Sequence, residues 1–377
     1  MKKALIAMSG GVDSSVAAYL CKKEGYDCVG ATMKLFDDKE LGLKIEHKSD
    51  KACCTLEDVE AARSVAYSLE MPFHVFNFTR DFKTSIIDKF VKTYQDGGTP
   101  NPCIDCNRYM KFEKFLHRAV ELEIDYVVTG HYARIEYCPN ANRYLLKKGI
   151  DESKDQSYAL YTMTQDQLSK TLFPLGRFQK SEIRQIANEQ NFINANKRDS
   201  QDICFVPDGD YATFISTYSG DTKSHKNRGN FIDSITGQVI GTHDGQARYT
   251  IGQRKGLGLA LPHTMYVKSK NAKDNTVTLC QTPDELYESE LFAKDFNWIS
   301  INKPQIGEQI RCMAKIRYNQ KEQPATAVKI DDSYIKITFD TPQRAIAVGQ
   351  AAVLYNGDVV VGGGVICTAS TLTFRSG

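Results

Sequence analysis

The sequence ALIAMSGGVDSSVAAYLC, residues 4–21, is the stretch that decides the fold. Its first five residues form an apolar run, which predicts a buried strand. The apolar residues between 16 and 21 recur at helical spacing, and Gly25 follows them as a C-terminal cap, so a helix is predicted there. The stretch therefore predicts a strand that passes through a glycine-rich turn directly into a helix.

The same alternation of strand and helix continues through the first 200 residues. Apolar runs at 28–33, 73–76 and 126–130 predict strands, and the patterns at 55–69 and 112–123 predict helices. Strands that alternate with helices form parallel crossovers, and the helices then cover both faces of the sheet. We therefore expect an α/β domain with a doubly wound parallel sheet. Ligands of such sheets bind beyond the carboxyl ends of the strands.

The pattern changes after residue 205, where glycine, asparagine and aspartate turn signals become closely spaced. From about residue 285 the strand candidates are short and alternating, and Asn356-Gly357 joins two of them as a two-residue hairpin turn. These short alternating strands predict an antiparallel β-barrel or a β-sandwich, and we expect the barrel. The resulting prediction is three domains: the α/β domain at 1–204, a small mixed central domain at 205–284 and the C-terminal β-barrel at 285–377.

The composition is that of an ordinary globular protein, with 377 residues, 41% hydrophobic and 25% charged. The formal net charge is only +2, so a nucleic acid would have to bind a local basic surface rather than the bulk charge. Eleven cysteines are too few for a small disulfide scaffold in a chain of this length. Because no apolar run is long enough for a signal peptide or a transmembrane helix, we expect a cytoplasmic protein without a membrane partner.

Residues 9–15, SGGVDSS, are predicted to bind phosphate. Paired glycines let backbone N–H groups approach an anion, and the helix that begins here directs its free N–H groups and positive dipole end at the same point. Asp13 is suited to hold a magnesium ion beside the phosphates. The alternative is that the glycines and serines only form a tight turn. Two better-known nucleotide loops, G-x-x-x-x-G-K-[ST] and G-x-G-x-x-G, do not occur.

Two cysteine-containing segments form the second candidate site, TPNPCIDCN at 99–107 and SQDICF at 200–205. Cys103 and Cys106 make a C-x-x-C pair, which is a weak metal signal because no second pair lies at a zinc-like distance. The alternative is that both are ordinary small buried residues. Pro100 and Pro102 favour an extended backbone just before the cysteines, which predicts that the cysteines lie on a loop.

These segments resemble those of known proteins. SGGVDSS is similar to the pyrophosphatase loop of the N-type ATP pyrophosphatases, which cleave ATP between its α and β phosphates and have an adenine nucleotide α-hydrolase-like fold. The chain as a whole resembles the tRNA-specific 2-thiouridylases, the MnmA/TrmU family. The resemblance runs nearly end to end, through SGGVDSS, CCTLEDVEAAR, TPNPCIDCNRYMKF, TGHYAR, KDQSYAL, KRDSQDICF, ARYTIGQRKGLG, KIRY and GQA.

The resemblance implies an ATP-dependent tRNA sulfurtransferase. In that family AMP is transferred to the C2 oxygen of the wobble uridine and sulfur then replaces this oxygen. ATP and Mg²⁺ are the implied cofactors, and tRNA and a persulfide-carrying sulfur donor protein are the implied partners. Carried over by position, Cys106 is the attacking or resolving catalytic cysteine and Cys204 is the one that carries the persulfide. Asn101, Pro102 and Cys103 match the segment that meets the target base.

Other matched positions are implied to bind ATP or tRNA. The ATP positions are Ala7, Met8, Ser9, Gly10, Gly11, Val12, Asp13, Ser14, Met33 and Gly130. The tRNA positions are His131, Lys154, Asp155, Gln156, Arg317, Tyr318 and Gln350. Taken alone, Met33 is as well explained by core packing, and His131 by a hydrogen-bonded structural role.

One position departs from the family pattern N-P-D-x-x-C-N, because Cys103 stands where that pattern has aspartate. A carboxylate that could serve as general base is missing there, although Asp105 follows two residues later. Cys103, Cys106 and Cys204 are also suited to ligate an iron–sulfur cluster with one open iron site for a sulfide. Two sulfur chemistries therefore stay open, a persulfide and an iron–sulfur cluster.

Two other functions also stay open from the residues alone. One is a different adenylating amidotransferase or ligase, which would use ammonia or an amine and would be indifferent to the cysteines. The other is a tRNA-binding sulfur-relay protein without catalysis of its own, which would release no pyrophosphate.

Overall fold

The computed structural model describes residues 1–37, 55–199, 203–206, 209–220, 228–260 and 263–368. Part of the predicted SQDICF segment, residues 200–202, therefore lies outside the described residues. Within those ranges, no helix is both long and apolar enough to cross a bilayer.

The strands of the N-terminal region form the predicted parallel sheet and an antiparallel hairpin. They are β1 (Lys3–Ala7), β2 (Asp27–Lys34), β3 (Phe73–Asn77), β4 (Tyr126–Val128), β5 (Ala133–Cys138), β6 (Arg143–Lys148) and β7 (Thr171–Leu172). The parallel sheet has the order β3-β2-β1-β4-β7, and β5 and β6 pair as a separate antiparallel hairpin. The chain adds β2 and β3 on one side of β1 and then β4 on the other, so the topological switch point lies between β1 and β4.

Helices cover both faces of this sheet, as expected for a doubly wound fold. They are α1 (Val12–Lys23), α2 (Leu56–Ser68), α3 (Thr79–Phe82), α4 (Asp88–Gln95), α5 (Pro102–Asp105), α6 (Phe115–Glu121), α7 (Gln165–Ser169), α8 (Lys180–Glu189) and α9 (Tyr211–Tyr218). Because side chains alternate along a strand, Ile6 packs with α1, α2 and α8, while Leu5 packs with α4, α6 and α9. π-helical segments at Lys83–Ile87 and Cys106–Lys114 make α3–α4 and α5–α6 continuous.

The central region forms a small mixed sheet, as predicted. Its strands are β8 (Gly229–Asp233), β9 (Val239–His243), β10 (Tyr266–Asn271) and β11 (Thr276–Cys280). They lie in the order β10-β11-β8-β9, with β11 and β8 parallel and the outer pairs antiparallel. A small core that includes Phe231, Val267, Val277 and Leu279 supports this sheet.

The C-terminal strands close into the predicted antiparallel barrel. They are β12 (Tyr287–Trp298), β13 (Gln309–Lys315), β14 (Gln323–Lys329), β15 (Tyr334–Arg344), β16 (Ala351–Asn356) and β17 (Val359–Cys367). The order β12-β15-β14-β13-β16-β17 closes because β12 also pairs with β17. Inward residues alternate along each strand, as Ile335, Ile337 and Phe339 do on β15. Closure leaves the barrel without a free sheet edge along these strands.

A shared core fastens the barrel to the α/β domain. The β5–β6 hairpin extends the barrel sheet through a pairing of Lys147 with Val359. Behind it, Ile104, Phe112 and Tyr158 of the α/β domain pack in one cluster with barrel residues such as Val353 and Tyr355. The sequence patterns did not indicate the pairing of this hairpin with the barrel, because Lys147 and Val359 lie more than 200 residues apart in the chain.

Candidate active site

The glycine-rich loop lies at the switch point between β1 and β4, where α1 begins. Gly11 is the N-cap of α1, and its carbonyl oxygen accepts hydrogen bonds from the hydroxyls of Ser14 at 2.9 Å and Ser15 at 3.2 Å. Gly10 has a φ of +73°, and a Cβ atom there would lie 2.3 Å from the carbonyl oxygen of Asp58. Only glycine fits this position, because the loop passes against the first turn of α2.

Asp13 is held by a lysine and a tyrosine that the sequence analysis did not single out. The Lys180 ammonium lies 2.7 Å from Oδ1 and 2.8 Å from Oδ2 of Asp13, and the Tyr132 hydroxyl donates to Oδ1 at 2.7 Å. Burial, followed by the nearby Asp13, raises the pKa of Tyr132 well above its ordinary value, so Tyr132 stays a protonated donor. Lys180 is the first residue of α8, and its side chain is only 11% exposed.

A second carboxylate, Asp199, extends this charge network. Lys180 contacts Asp199 at 2.8 Å, Lys154 contacts it at 2.8 Å and Arg184 at 3.1 Å. Burial opposes ionisation of Asp199, but the bonds from Lys154 and Lys180 hold its pKa below the ordinary range. A third carboxylate, Asp151, accepts the backbone N–H of Lys180 at 2.9 Å, so three cations and three carboxylates form one charge network beside the loop.

The loop is supported by α2 and by the segment that follows α8. Asn194 donates to the Gly10 carbonyl at 3.0 Å and to the Ser15 hydroxyl at 2.9 Å, while its own buried Oδ1 has no partner among the described residues. Lys197 forms an ion pair with Asp58, whose carboxylate also accepts the backbone N–H of Thr55 in a capping box. These contacts fix the backbone of the glycine-rich loop.

The other predicted ATP positions lie around the same point. Ala7 and Met8 end β1, and the Met8 carbonyl accepts a 2.6 Å bond from the Thr32 hydroxyl. A Cβ atom on Gly130 would lie 2.9 Å from the Ser14 nitrogen, so glycine lets the end of β4 approach α1. Met33 is half-buried against the apolar cluster beneath β2.

Asp13 suits a magnesium ion by its chemistry and its place in the first turn of α1. Magnesium in nucleotide sites is commonly bound through one or two carboxylates together with substrate phosphates and water. Asp13 and Asp199 provide two such carboxylates, both in contact with the same Lys180 ammonium. The donor set therefore fits a phosphate-bound magnesium ion rather than a site built from protein ligands alone.

The C-x-x-C segment is helical, so the prediction of a loop was wrong. α5 begins at Pro102, with Asn101 as N-cap, and continues without a break through the π-helical segment into α6. Proline is favoured at the first helical position because its missing N–H is not needed there. The helix predicted at 112–123 thus begins ten residues earlier than expected. Cys103 is exposed and Cys106 is half-buried one turn later.

Asp105, next to Cys106, is a buried carboxylate with basic neighbours. Burial raises its pKa above the ordinary value, although Lys89, at 2.6 Å, and Arg108 act in the opposite direction. The Lys89 ammonium and the Arg108 guanidinium also lie over the ring of Tyr109, at 5.5 and 5.2 Å from its centre. A carboxylate is therefore present beside the cysteine pair even though Cys103 replaces the one in the family pattern.

Cys106 and Cys204 share their surroundings. Both are half-buried and pack against the apolar cluster that contains Phe90, Phe205 and Leu5. Within the described ranges, no three His, Cys, Asp or Glu side chains converge as metal ligands do.

The barrel holds the segment that precedes the cysteines. The side-chain amide of Gln350 donates to the Thr99 carbonyl at 2.9 Å and to the Pro100 carbonyl at 3.4 Å, and the Thr99 N–H donates to the Val348 carbonyl at 2.8 Å. Tyr318 donates to the Asp155 carbonyl at 3.2 Å. Its ring packs edge-on against Tyr158 at a centre-to-centre distance of 6.1 Å, and burial, followed by Asp155 and Cys103, raises the pKa of Tyr318 to about 12.

The predicted tRNA positions differ in their exposure. His131 is 7% exposed and lies 2.6 Å from the Thr129 hydroxyl and 3.4 Å from the Lys111 ammonium. Burial and Lys111 lower its pKa well below the ordinary value, so His131 is neutral. The Gln156 side chain accepts the Tyr132 N–H at 3.0 Å. His131 and Gln156 thus make internal contacts that connect the ATP loop with the rest of the site.

Sequence reasoning missed Tyr132, Lys180, Asn194 and Asp199. Tyr132 and Asp199 lie within the quoted blocks TGHYAR and KRDSQDICF, so the signal was available for those two. The sequence analysis predicted no helix at Lys180. The structure shows that Gln179 and Glu182 form a capping box at the start of α8, and this pair was the available signal. The distance of Lys180 from Asp13 in the sequence, 167 residues, gave no local signal.

The doubly wound sheet and the glycine-rich loop at its switch point are typical of a nucleotide-binding α/β enzyme. Three family models match in order: a tRNA methyl transferase HUP domain at residues 2–208, a tRNA methyl transferase PRC-barrel domain at 214–281 and an aminomethyltransferase β-barrel domain at 288–366. The chain is 49% identical to the tRNA-specific 2-thiouridylase MnmA of Clostridioides difficile strain 630, over 97% of this chain and 98% of the relative. It therefore belongs to the tRNA-specific 2-thiouridylase family, the enzymes that act as tRNA sulfurtransferases.

Other comparisons agree in part. The MnmA of Lachnoclostridium phytofermentans is 48% identical over 97% of this chain and 99% of its own length. Among solved structures, a 4-thiouridine synthetase in complex with RNA and bound ATP covers 55% of this chain and 45% of its own, at 19% identity and a TM-score of 0.32. That structural likeness is too low to bear on function.

Proposed function

We propose that this enzyme transfers sulfur to C2 of the wobble uridine of tRNA, after AMP has been transferred from ATP to the C2 oxygen. The observation that supports this best is the shared position of Cys106 and Cys204 against one apolar cluster. The same cluster includes Leu5, which lies on the strand that leads to the glycine-rich loop, and Met33, which lies near the carboxyl end of β2. This common cluster supports a site in which the sulfur chemistry takes place near the bound ATP.

Adenylation requires stabilisation of the charge that develops on the phosphates. A uracil carbonyl is a poor electrophile, and its oxygen leaves only after it has been converted to a phosphate ester. The backbone N–H groups of Gly10 and Gly11, the start of α1 and the Lys180 ammonium all face this point and suit an α-phosphate and a departing pyrophosphate. A magnesium ion on Asp13 would neutralise further phosphate charge.

Sulfur transfer then requires one persulfide and one thiolate. The terminal sulfur of a persulfide on Cys204 attacks C2, AMP leaves, and Cys204 stays joined to the base through an S–S bond. The Cys106 thiolate attacks the Cys204 sulfur, which forms a Cys106–Cys204 disulfide and releases the 2-thiouridine. A thiol reductant restores the pair.

The target base must leave its stack to reach these cysteines, which costs a few kcal/mol in nucleic-acid enzymes. The segment formed by Asn101, Pro102 and Cys103 is the proposed base-facing element. Its position is fixed by the bonds from Gln350 and Val348 of the barrel. Contacts to the rest of the tRNA would offset the cost of extrusion.

Two cysteine variants test the proposal. Cys106→Ser and Cys204→Ser are each expected to abolish 2-thiouridine in tRNA nucleoside analysis while leaving tRNA binding largely intact. Cys138→Ser, a change at another half-buried cysteine on the β5–β6 hairpin, is the matched control and is expected to retain activity. A wild-type level of 2-thiouridine with either Cys106→Ser or Cys204→Ser would refute the proposal.

Iron analysis separates the persulfide from the cluster. Protein purified without oxygen is expected to be active with a persulfide donor in the absence of stoichiometric iron. Activity that depends on about four irons per chain would instead indicate a [4Fe–4S] cluster.

A further inference from the structure

The segment that precedes the cysteine helix is bound by both of the domains that follow the α/β domain in the chain. Residues 95–100 leave the C-terminal end of α4 and reach Asn101, the N-cap of α5. The barrel binds the second half of this segment through hydrogen bonds to its backbone. Two side chains of the central region, Gln246 and Lys270, bind the first half. The mechanism described so far uses neither of them.

Gln246 is a buried side chain that joins the central region to the end of α4. It is 7% exposed, and its Nε2 donates to the Gln95 carbonyl at 2.9 Å. Carbonyl groups in the last turn of a helix have no partner within the helix, so Gln246 supplies one for Gln95. Gly97 follows with a φ of +84°, and a Cβ atom there would lie 3.2 Å from Oε1 of Gln246. The helix therefore ends in close contact with Gln246.

Lys270 is a buried cation on β10 whose contacts are made with the same end of α4. Its ammonium lies 3.3 Å from the Gly98 carbonyl and 5.8 Å from the centre of the Tyr94 ring. Among the residues that the structure describes, no carboxylate forms an ion pair with this ammonium, whereas Lys268 on the same strand is paired with Glu285 at 2.9 Å. A buried ammonium without a carboxylate lowers the stability of a fold, and proteins tolerate such costs at functional sites.

The position of α4 connects the two cysteine segments. The ring of Phe90, in the middle of α4, lies 5.2 Å from the ring of Phe205, the residue that follows Cys204. The C-terminal end of α4 leads through residues 95–100 into the helix that carries Cys106. A displacement of this end would therefore move Cys106 and the base-facing segment relative to Cys204.

We propose that Lys270 and Gln246 are positioning residues, which hold the end of α4 so that Cys106 keeps the placement relative to Cys204 that sulfur transfer requires. The inference rests on the proposed function, since it takes sulfur transfer to be the reaction that depends on this placement. Both side chains act through backbone carbonyls, those of Gln95 and Gly98, and neither contacts the reacting atoms. A misplacement of reacting groups by about 1 Å costs up to about 100-fold in rate, so distant contacts of this kind can control the reaction.

The test compares the rate of single-turnover thiolation at saturating tRNA with the affinity for tRNA. Lys270→Met removes the ammonium and Gln246→Met removes the amide donor, and both keep most of the side-chain length. Each is expected to lower the rate by about tenfold or more and to leave tRNA affinity unchanged. Lys270→Arg keeps a charged donor and is expected to recover part of the rate. Lys268→Met removes the same charge from the same strand and is the matched control, expected to retain the wild-type rate.

Two further measurements separate positioning from a merely structural role. Denaturant unfolding at neutral pH is expected to show Lys270→Met to be at least as stable as wild type, because the variant removes a buried charge. Amide hydrogen exchange of residues 95–100 is expected to be faster in both methionine variants, since each removes a contact that holds this segment. Gln246→Met carries the same test if Lys270→Met fails to fold.

A wild-type thiolation rate in folded Lys270→Met and Gln246→Met enzymes would overturn the proposal. A loss of activity that follows a loss of tRNA affinity would overturn it in favour of a direct tRNA contact, and one that follows a loss of global stability would overturn it in favour of a structural role. Unchanged hydrogen exchange of residues 95–100 in both variants would also overturn it. If wild-type enzyme forms no 2-thiouridine but this exchange becomes faster in both variants, the proposed function fails and the anchoring of α4 by the two residues stands.

Discussion

The Lys180 ammonium contacts both carboxylate oxygens of Asp13, at 2.7 and 2.8 Å, across the crevice where ATP is proposed to bind. Lys180 begins α8 and Asp13 lies in the first turn of α1, so two helix N-termini converge on the same point. This contact connects the element that the sequence predicted with one that it did not. We propose that Lys180 also contacts a phosphate group when ATP is bound.

Replacement of Lys180 by Met is expected to lower tRNA-dependent pyrophosphate release by about 100-fold, the loss typical of one electrostatic contact to a transition state. Lys180→Arg keeps the charge and is expected to recover part of the rate. The exposed Lys170, paired with Asp166, supplies the control variant Lys170→Met. A folded Lys180→Met enzyme with the wild-type rate would exclude a role for Lys180 in ATP chemistry.

Gly10 and Gly25 provide a matched pair for the loop. Both have positive φ, +73° and +87°, but a Cβ atom on Gly10 meets backbone at 2.3 Å whereas one on Gly25 meets nothing within 4 Å. Gly25→Ala is expected to lower the free energy of unfolding by about 1–2 kcal/mol, the cost of placing a residue with a Cβ atom in the left-handed region. Gly10→Ala is expected to cost more and to abolish ATP binding, measured by denaturant unfolding and by nucleotide titration. Equal effects of the two substitutions would contradict the steric argument.

Local patterns predicted the elements that make local contacts. The β1–loop–α1 unit is encoded within residues 4–21. The predicted hairpin between β16 and β17 is present, but Asn356 pairs with Val359, so its two turn residues are Gly357 and Asp358, one position later than predicted. The contacts that the patterns did not reveal join distant parts of the chain: Lys180 with Asp13, and β6 with β17. The helix at Pro102 was misjudged for another reason. Proline is compatible both with an extended segment and with a helix start, and the buried side chain of Ile104 in the shared core selects the helix.

Lys270 predicts a pH dependence of stability. Burial lowers the pKa of Lys270 to about 8, and its ammonium lies 3.3 Å from the Gly98 carbonyl and 5.8 Å from the centre of the Tyr94 ring. The unfolded state binds this proton up to a pH of about 10.5, so it holds more protons than the native state between the two values. The free energy of unfolding should therefore rise with pH across this interval.

Lys270→Met is expected to remove that rise in the free energy of unfolding. Burial raises the pKa of the neighbouring Tyr94 to about 12, so Tyr94 also contributes to the pH dependence. The difference in free energy of unfolding between wild type and variant separates the contribution of Lys270 from that of Tyr94. The measurement is denaturant unfolding at several pH values from 8 upward. A difference that is constant with pH would show that Lys270 titrates normally.

Gln350 connects the barrel to the proposed base-facing segment through its bonds to the carbonyls of Thr99 and Pro100. In Gln350→Glu a carboxylate would face these two carbonyl oxygens and could donate to neither, and such a loss typically costs about 1–3 kcal/mol. Gln309→Glu, a charge-matched change at an exposed barrel position, is the control. If Gln350 positions the segment, the rate of single-turnover thiolation should fall by about tenfold or more in Gln350→Glu. The tRNA affinity of Gln350→Glu and its salt dependence should then stay close to those of the control. If Gln350 instead contacts tRNA directly, affinity should fall and the thiolation rate at saturating tRNA should be preserved. Rate and affinity measured on the same two variants therefore separate a positioning role from the tRNA contact that the family resemblance implies.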